Sequence, residues 1–128
     1  SVIPENWETR IRVDKNQIQN CFERISLISS SSIEKEKKYP VKINVDIGKV
    51  TISCTNQTGD AKEEMYVTTE GKNLEAGFNP KYFLDALRAI DDQEVFIDFG
   101  TSISPCIIRP VEEGGDYIYM VLPIRMKE

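Results

Sequence analysis

An order of signals that occurs twice constrains this chain more than anything else in it: an alternating strand, a capped helix, then three more strands. In the first copy Trp7, Thr9, Ile11 and Val13 fall on one face and Glu8, Arg10 and Arg12 on the other. That is the period-two pattern of a half-buried strand. Asp14 follows as an N-cap with Gln17 three residues on, the spacing of a capping box, and Val13 and Ile18 take the two positions of a hydrophobic staple. Ile18, Cys21, Phe22, Ile25 and Ile28 recur at helical spacing and predict a buried stripe, which runs out in Ser29 to Ser32. Glu34 to Lys38 reads as a solvated loop. Val41, Ile43, Val45 and Ile47 then alternate with Lys42, Asn44 and Asp46; Gly48 turns the chain, and Val50, Ile52 and Cys54 alternate again. Asn56 to Asp60 is a second turn, and a third strand points Met65 and Val67 inward.

Glu70-Gly71-Lys72-Asn73 turns the chain and the order restarts. Leu74, Ala76 and Phe78 make a strand, Asn79 caps a helix, and Pro80 sits at the first helical position, where its missing N–H costs nothing. Phe83, Ala86, Leu87 and Ile90 form the apolar stripe, with Phe78 and Phe83 as a second staple; Asp91-Asp92 ends the helix. Strands follow at Val95–Phe99, at Ile103–Ile108 (broken at its start by Pro105) and at Tyr117–Leu122. The caps Asp14 and Asn79 stand 65 positions apart. The pattern is a duplicated βαβββ unit, with repeats over about 7–69 and 73–123. It predicts one α+β domain over 1–128, with about eight strands in antiparallel sheets and two helices on one face.

Composition narrows the function. Histidine is absent, which removes the commonest general base and metal ligand. The acidic pairs Glu63-Glu64, Asp91-Asp92 and Glu112-Glu113 fall in turns or exposed strand positions, and there is no Gly-rich phosphate loop, nucleophile elbow or metal-ligand cluster. These features point away from catalysis, with no cofactor and no metal expected. The net charge of −5 rules out nucleic-acid binding through the bulk field. Cys21, Cys54 and Cys106, odd in number and set among apolar residues, suit reduced core thiols in the cytoplasm. No apolar run approaches a membrane span, and Ser1 to Glu5 is no signal peptide. The start without methionine suggests a piece cut from something longer.

Three stretches carry a resemblance. Ala76 to Leu87 reads AGFNPKYFLDAL, Ser102 to Pro110 reads SISPCIIRP, and Tyr117 to Arg125 reads YIYMVLPIR. The Phe-Asn-x-x-Tyr start of the second helix and the Leu-Pro-Ile-Arg ending are the most specific. Together they resemble the C-terminal domain of the bacterial sliding clamp, the beta subunit of DNA polymerase III, and Val2-Ile3-Pro4 resembles the end of that family's inter-domain connection. The resemblance implies a non-catalytic processivity factor, a head-to-tail dimer of three-domain subunits whose ring encircles duplex DNA. Its implied partners are DNA polymerase III subunits, the clamp loader and repair polymerases, which dock short peptides between the middle and last domains; no membrane is implied.

Matching the motifs places the peptide pocket at Val2, Pro4, Tyr39, Asn79, Tyr82, Ile103, Pro105, Met120, Val121, Leu122, Pro123, Ile124 and Arg125. It places the subunit interface at Leu27 and Ile28, and the DNA-facing positions at Asn16, Asn20, Lys81 and Arg88. Read without the resemblance, Met120 and Leu122 are core residues of the last strand and Asn79 is only a helix cap. The alternative function is a stand-alone protein-interaction domain of the same fold, with neither ring nor pocket.

Overall fold

A computed structural model describes residues 7–30, 40–56, 59–101, 103–111 and 118–124. In chain order the elements are β1 (Thr9–Asp14), α1 (Lys15–Ser30), β2 (Val41–Asp46), β3 (Lys49–Asn56), β4 (Gly59–Tyr66), β5 (Thr68–Gly71), β6 (Leu74–Phe78), α2 (Pro80–Arg88), β7 (Glu94–Phe99), β8 (Cys106–Pro110), β9 (Tyr119–Val121) and β10 (Pro123–Ile124). They form two five-stranded sheets, ordered β5-β1-β7-β8-β9 and β10-β6-β2-β3-β4, with every pairing antiparallel. Exchanging the first five strands for the last five turns one order into the other. The first strand of each βαβββ unit therefore sits in the other unit's sheet, and neither unit completes a sheet alone.

Both caps form as their residue types require. The Asp14 carboxylate accepts from Gln17 N at 2.9 Å, and Asn79 Oδ1 accepts from Lys81 N at 2.9 Å. The helices lie side by side, α1 over β3 and β4 and α2 against β9. Ile11, Val13, Ile18, Phe22, Ile25, Val41, Ile43, Val50, Ile52, Phe78, Phe83, Leu87, Val95, Ile97 and Phe99 are buried in one core between the layers. At its centre Phe83 stacks on Phe22 with centroids 4.8 Å apart and meets Phe78 edge-on at 5.1 Å. Each such pair adds about 1 kcal/mol to the area burial. A polar ladder at i, i+4 spacing links Lys15 Nζ to Gln19 (2.8 Å) and Gln19 to Glu23 (3.0 Å); Glu23 then faces Arg88 of α2 at 4.0 Å. Arg24 clamps α1 to β4 through two bonds to Glu63, at 2.6 and 2.8 Å, which hold that carboxyl below the usual carboxylate range.

Several sequence expectations are corrected. The last strand of each unit is not continuous. It bends at Val67, and again at Leu122, and then pairs with the first strand of its own unit at the edge of the opposite sheet. Glu70 and Gly71 therefore lie in β5 rather than in a turn, and Pro123 sits on an edge strand, where a residue without an N–H is tolerated. Ile103 lies in a turn closed by Ser104 N donating to Thr101 O at 3.1 Å, so the next strand begins only after Pro105, at Cys106. Ile47 is 86% exposed in the β2–β3 turn instead of facing inward. Trp7 precedes β1, and its ring lies under the outward-pointing Arg10 guanidinium, 4.8 Å from the centroid. Tyr117 and the run 34–38 lie outside the described residues.

The three cysteines are buried and form no disulfide. Burial pushes the Cys21 thiol up to about 12 and raises that of Cys106 as well. A thiol reagent at pH 8 is expected to label the native chain more than about a hundredfold slower than the urea-unfolded chain, because the reactive thiolate needs an opened structure. Timed labelling read by mass spectrometry checks this; fast native labelling of any of the three would refute it.

Candidate functional site

An open groove of about 350 Å³ runs between α2 and the β9–β10 bend, lined by Tyr82, Asp85, Ala86, Tyr119, Met120, Val121 and Leu122. Local structure explains why apolar groups are left uncovered here. α2 turns its buried stripe (Phe83, Leu84, Ala86 and Leu87) to the core, which leaves Tyr82 and Asp85 on the outside, one turn apart. In β9 alternation sends Val121 into the core, 2% exposed, and Met120 outward at 43%. Leu122, at the bend where the chain leaves one sheet for the other, belongs to neither ladder and is 64% exposed. Tyr82 is 55% exposed. Such walls, with a flexible thioether and an aromatic carrying one polar tip, suit an apolar peptide side chain.

Of the thirteen pocket positions matched by motif, the groove gathers Tyr82, Met120, Val121 and Leu122. Asn79 caps α2 with its side chain, half-buried. Ile103, 66% exposed, and Pro105 sit in the turn before β8, and Pro123 and Ile124 form β10; none of these lines the groove. Val2, Pro4, Tyr39 and Arg125 lie outside the described residues. Sequence reasoning missed Asp85, Ala86 and Tyr119 as lining residues. Positions three and four beyond Tyr82 on a helix share its side, so the first two were within reach of the pattern.

Leu27 is 68% exposed on α1, and the side chain of Ile28 lies outside the described residues. Asn16, Gln17 and Asn20 are exposed on α1, as are Lys81 and Arg88 on α2. A second cavity, of about 280 Å³, is lined by Arg12, Asp92, Gln93, Glu94 and Val111, but its arginine already pairs with Glu94 at 2.8 Å. Among the described residues no group of three or more His, Cys, Asp or Glu side chains is placed to hold a metal, and no helix is long and apolar enough to cross a membrane.

Residues 1–125 match the family described as DNA polymerase III beta subunit, C-terminal domain. The beta sliding clamp of Staphylococcus aureus is 32% identical over 127 residues, covering 97% of this chain and 32% of that protein. The crystal structure of the DNA polymerase III beta subunit from Thermotoga maritima superposes with a TM-score of 0.88 at 31% identity, over 98% of this chain and 33% of that one. The beta subunit from Pseudomonas aeruginosa gives 0.86 at 28%, over 97% and 32%. The chain thus spans about a third of the length of the relatives it matches. With the family matched along nearly its whole length and the fold shared with solved beta subunits, this chain belongs to the family formed by the C-terminal domain of the DNA polymerase III beta subunit.

Proposed function

We infer that the chain is the last domain of a DNA sliding clamp: one domain over 1–128, non-catalytic, cytoplasmic, and part of a head-to-tail dimeric ring around duplex DNA. It carries most of the pocket for short peptides of DNA polymerase III subunits, the clamp loader and repair polymerases. The observation that carries this reading is the groove itself, where Tyr82, Met120 and Leu122 stand exposed beside one another on a chain of this family. Leu27, exposed on α1 beside the Arg24–Glu63 clamp to β4, supports an interface between subunits at that corner. The helix faces support loose, sequence-independent passage of DNA: Asn16 and Asn20 are neutral, Lys81 is exposed, and Arg88 is already shared with Glu23. Few phosphates would be neutralised by such a face, so the salt dependence contributed by this domain is small.

The test is an NMR titration of the labelled chain with the peptide Gln-Leu-Asp-Leu-Phe, carried to millimolar concentration, where binding is worth about 4 kcal/mol. Saturable shifts are expected at Tyr82, Met120 and Leu122. Met120→Ala should weaken them about tenfold, as loss of an anchoring side chain does. Saturation centred on other residues, or none at all, would return the chain to the rival reading of an interaction domain without this pocket.

A further inference from the structure

We propose that Glu23 sets how weakly this domain holds duplex DNA, by drawing Arg88 away from the phosphates. The inference rests on the helices being the DNA-facing side and adds to it the residue that governs the grip. The chain as a whole repels DNA, with a net charge of −5. The two helices run against that balance: they carry four cations, Lys15, Arg24, Lys81 and Arg88, and two acids, Glu23 and Asp85. Three of the four cations are engaged by described residues. Lys15 is buried and donates to Gln19 at 2.8 Å. Arg24 is gripped by Glu63 through two bonds. Arg88 Nε stands 4.0 Å from Glu23 Oε1, where the helices lie side by side. Asp85, three residues before Arg88 on α2, lines the groove instead.

The way Glu23 is held makes it a fixed counter-charge. A glutamine amide has an acceptor end and a donor end, and a lysine can only donate. Lys15 therefore takes Gln19 Oε1, which leaves Gln19 Nε2 to donate to Glu23 Oε1 at 3.0 Å. That same carboxylate oxygen faces Arg88. Glu23 is thus positioned from its own helix, in i, i+4 steps, whereas Arg88 sits at the outer limit of ion pairing and is more than half exposed. At that distance charge draws the guanidinium without hydrogen bonds locking it, and its planar fork fits a phosphate as well as a carboxylate. Glu23 therefore competes with each passing phosphate for Arg88 and repels that phosphate as well. A closed ring stays on DNA without a tight grip, so a damped cation at this seam favours sliding.

The test is an NMR titration of the labelled chain with a DNA duplex of about 12 base pairs, at about 50 mM and about 200 mM salt. Glu23→Gln removes the charge and keeps the shape. It is expected to bind about five-fold tighter than the parent at the lower salt, with a slope of log affinity against log salt steeper by about one and with shifts reaching Arg88. In the Arg88→Gln background the same change should gain about two-fold at most. Both side chains are about half exposed, so the variants fold. Equal binding by Glu23→Gln and the parent, with shifts still on α1 and α2, would overturn the role of Glu23 and leave the helical face as the DNA side. A full gain that persists without Arg88 would overturn the assignment to that pair. Shifts centred off both helices, or no saturable shift in any variant, would overturn both readings.

Discussion

Replacing Gly71 with alanine is expected to lower the unfolding free energy by about 3 kcal/mol and the melting temperature by about 10 °C. Two separate costs add at this position. Its φ of +95° is one that residues with a Cβ rarely adopt, a strain of about 1–2 kcal/mol. In addition, a Cβ there would stand 1.9 Å from the carbonyl oxygen of Glu8, and that atom is backbone, unable to swing aside. The same oxygen accepts the Lys72 N–H at 3.1 Å, and Thr9 Oγ1 donates to Lys72 O at 2.6 Å, so making room pulls β5 away from β1. Gly48 is the control. Its φ of +72° carries the strain, but nothing lies within 4 Å of where a Cβ would be. Gly48→Ala should therefore cost only about 1 kcal/mol. Urea melts of the two variants separate the costs, and equal losses would show that backbone strain alone matters at Gly71.

The same corner shows how far the sequence could be read. Capped helices and period-two strands were legible because both follow from local chemistry: Asp14 and Asn79 satisfy orphan N–H groups, and alternation at Ile11, Val13, Ile43 and Val45 tracks burial. Sheet membership was not legible. Nothing near Val67 or Leu122 announces that the chain leaves one sheet edge for the other, since the partner strands β1 and β6 lie earlier in the chain and the match is decided in three dimensions. Ile47 was misread because alternation runs on through a turn that only the glycine after it marks. In the groove, resemblance supplied Tyr82, Met120 and Leu122, and helical spacing could have supplied Asp85. The exposure of Leu122 depends on the sheet switch, so periodicity alone assigned it to the core. The outward charges of β1, β7 and β8 fall where alternation places residues away from the core, yet one of them is among the most buried polar groups among the described residues.

That group, Asp98, is the second place where a single change is expected to be costly. Its side chain is 3% exposed although it points to the outer face of the first sheet. Arg10 grips it from β1 with two bonds, Nε–Oδ1 at 2.6 Å and Nη2–Oδ2 at 2.9 Å, and Arg109 Nε approaches Oδ2 from β8 at 2.9 Å. The Arg109 contact is an ion pair whose angle is too poor for a directed hydrogen bond. Arg10 is held in turn over the rings of Trp7 and Phe96, at 4.8 and 4.2 Å from their centroids. Three strands are thus joined through one carboxylate, in a row that continues across Ile107 to Met120 at the groove. Asp98→Ala leaves two guanidinium groups facing each other without their shared counter-charge. Fully enclosed, that loss is worth about 3–5 kcal/mol; with Arg10 and Arg109 still 19% and 25% exposed, water recovers part of it, and about 2–3 kcal/mol is expected. Asp98→Asn should fall between, since it keeps one acceptor but turns an amide donor toward the arginines. The decisive comparison is the triple replacement Arg10→Met, Asp98→Leu, Arg109→Met, which removes all the charges at similar volume. Recovery to within about 1 kcal/mol of the parent would mean that the penalty comes from orphaned charge rather than from lost attraction. A triple variant as unstable as Asp98→Ala would instead mean that the ion pairs themselves bind β1 to the sheet.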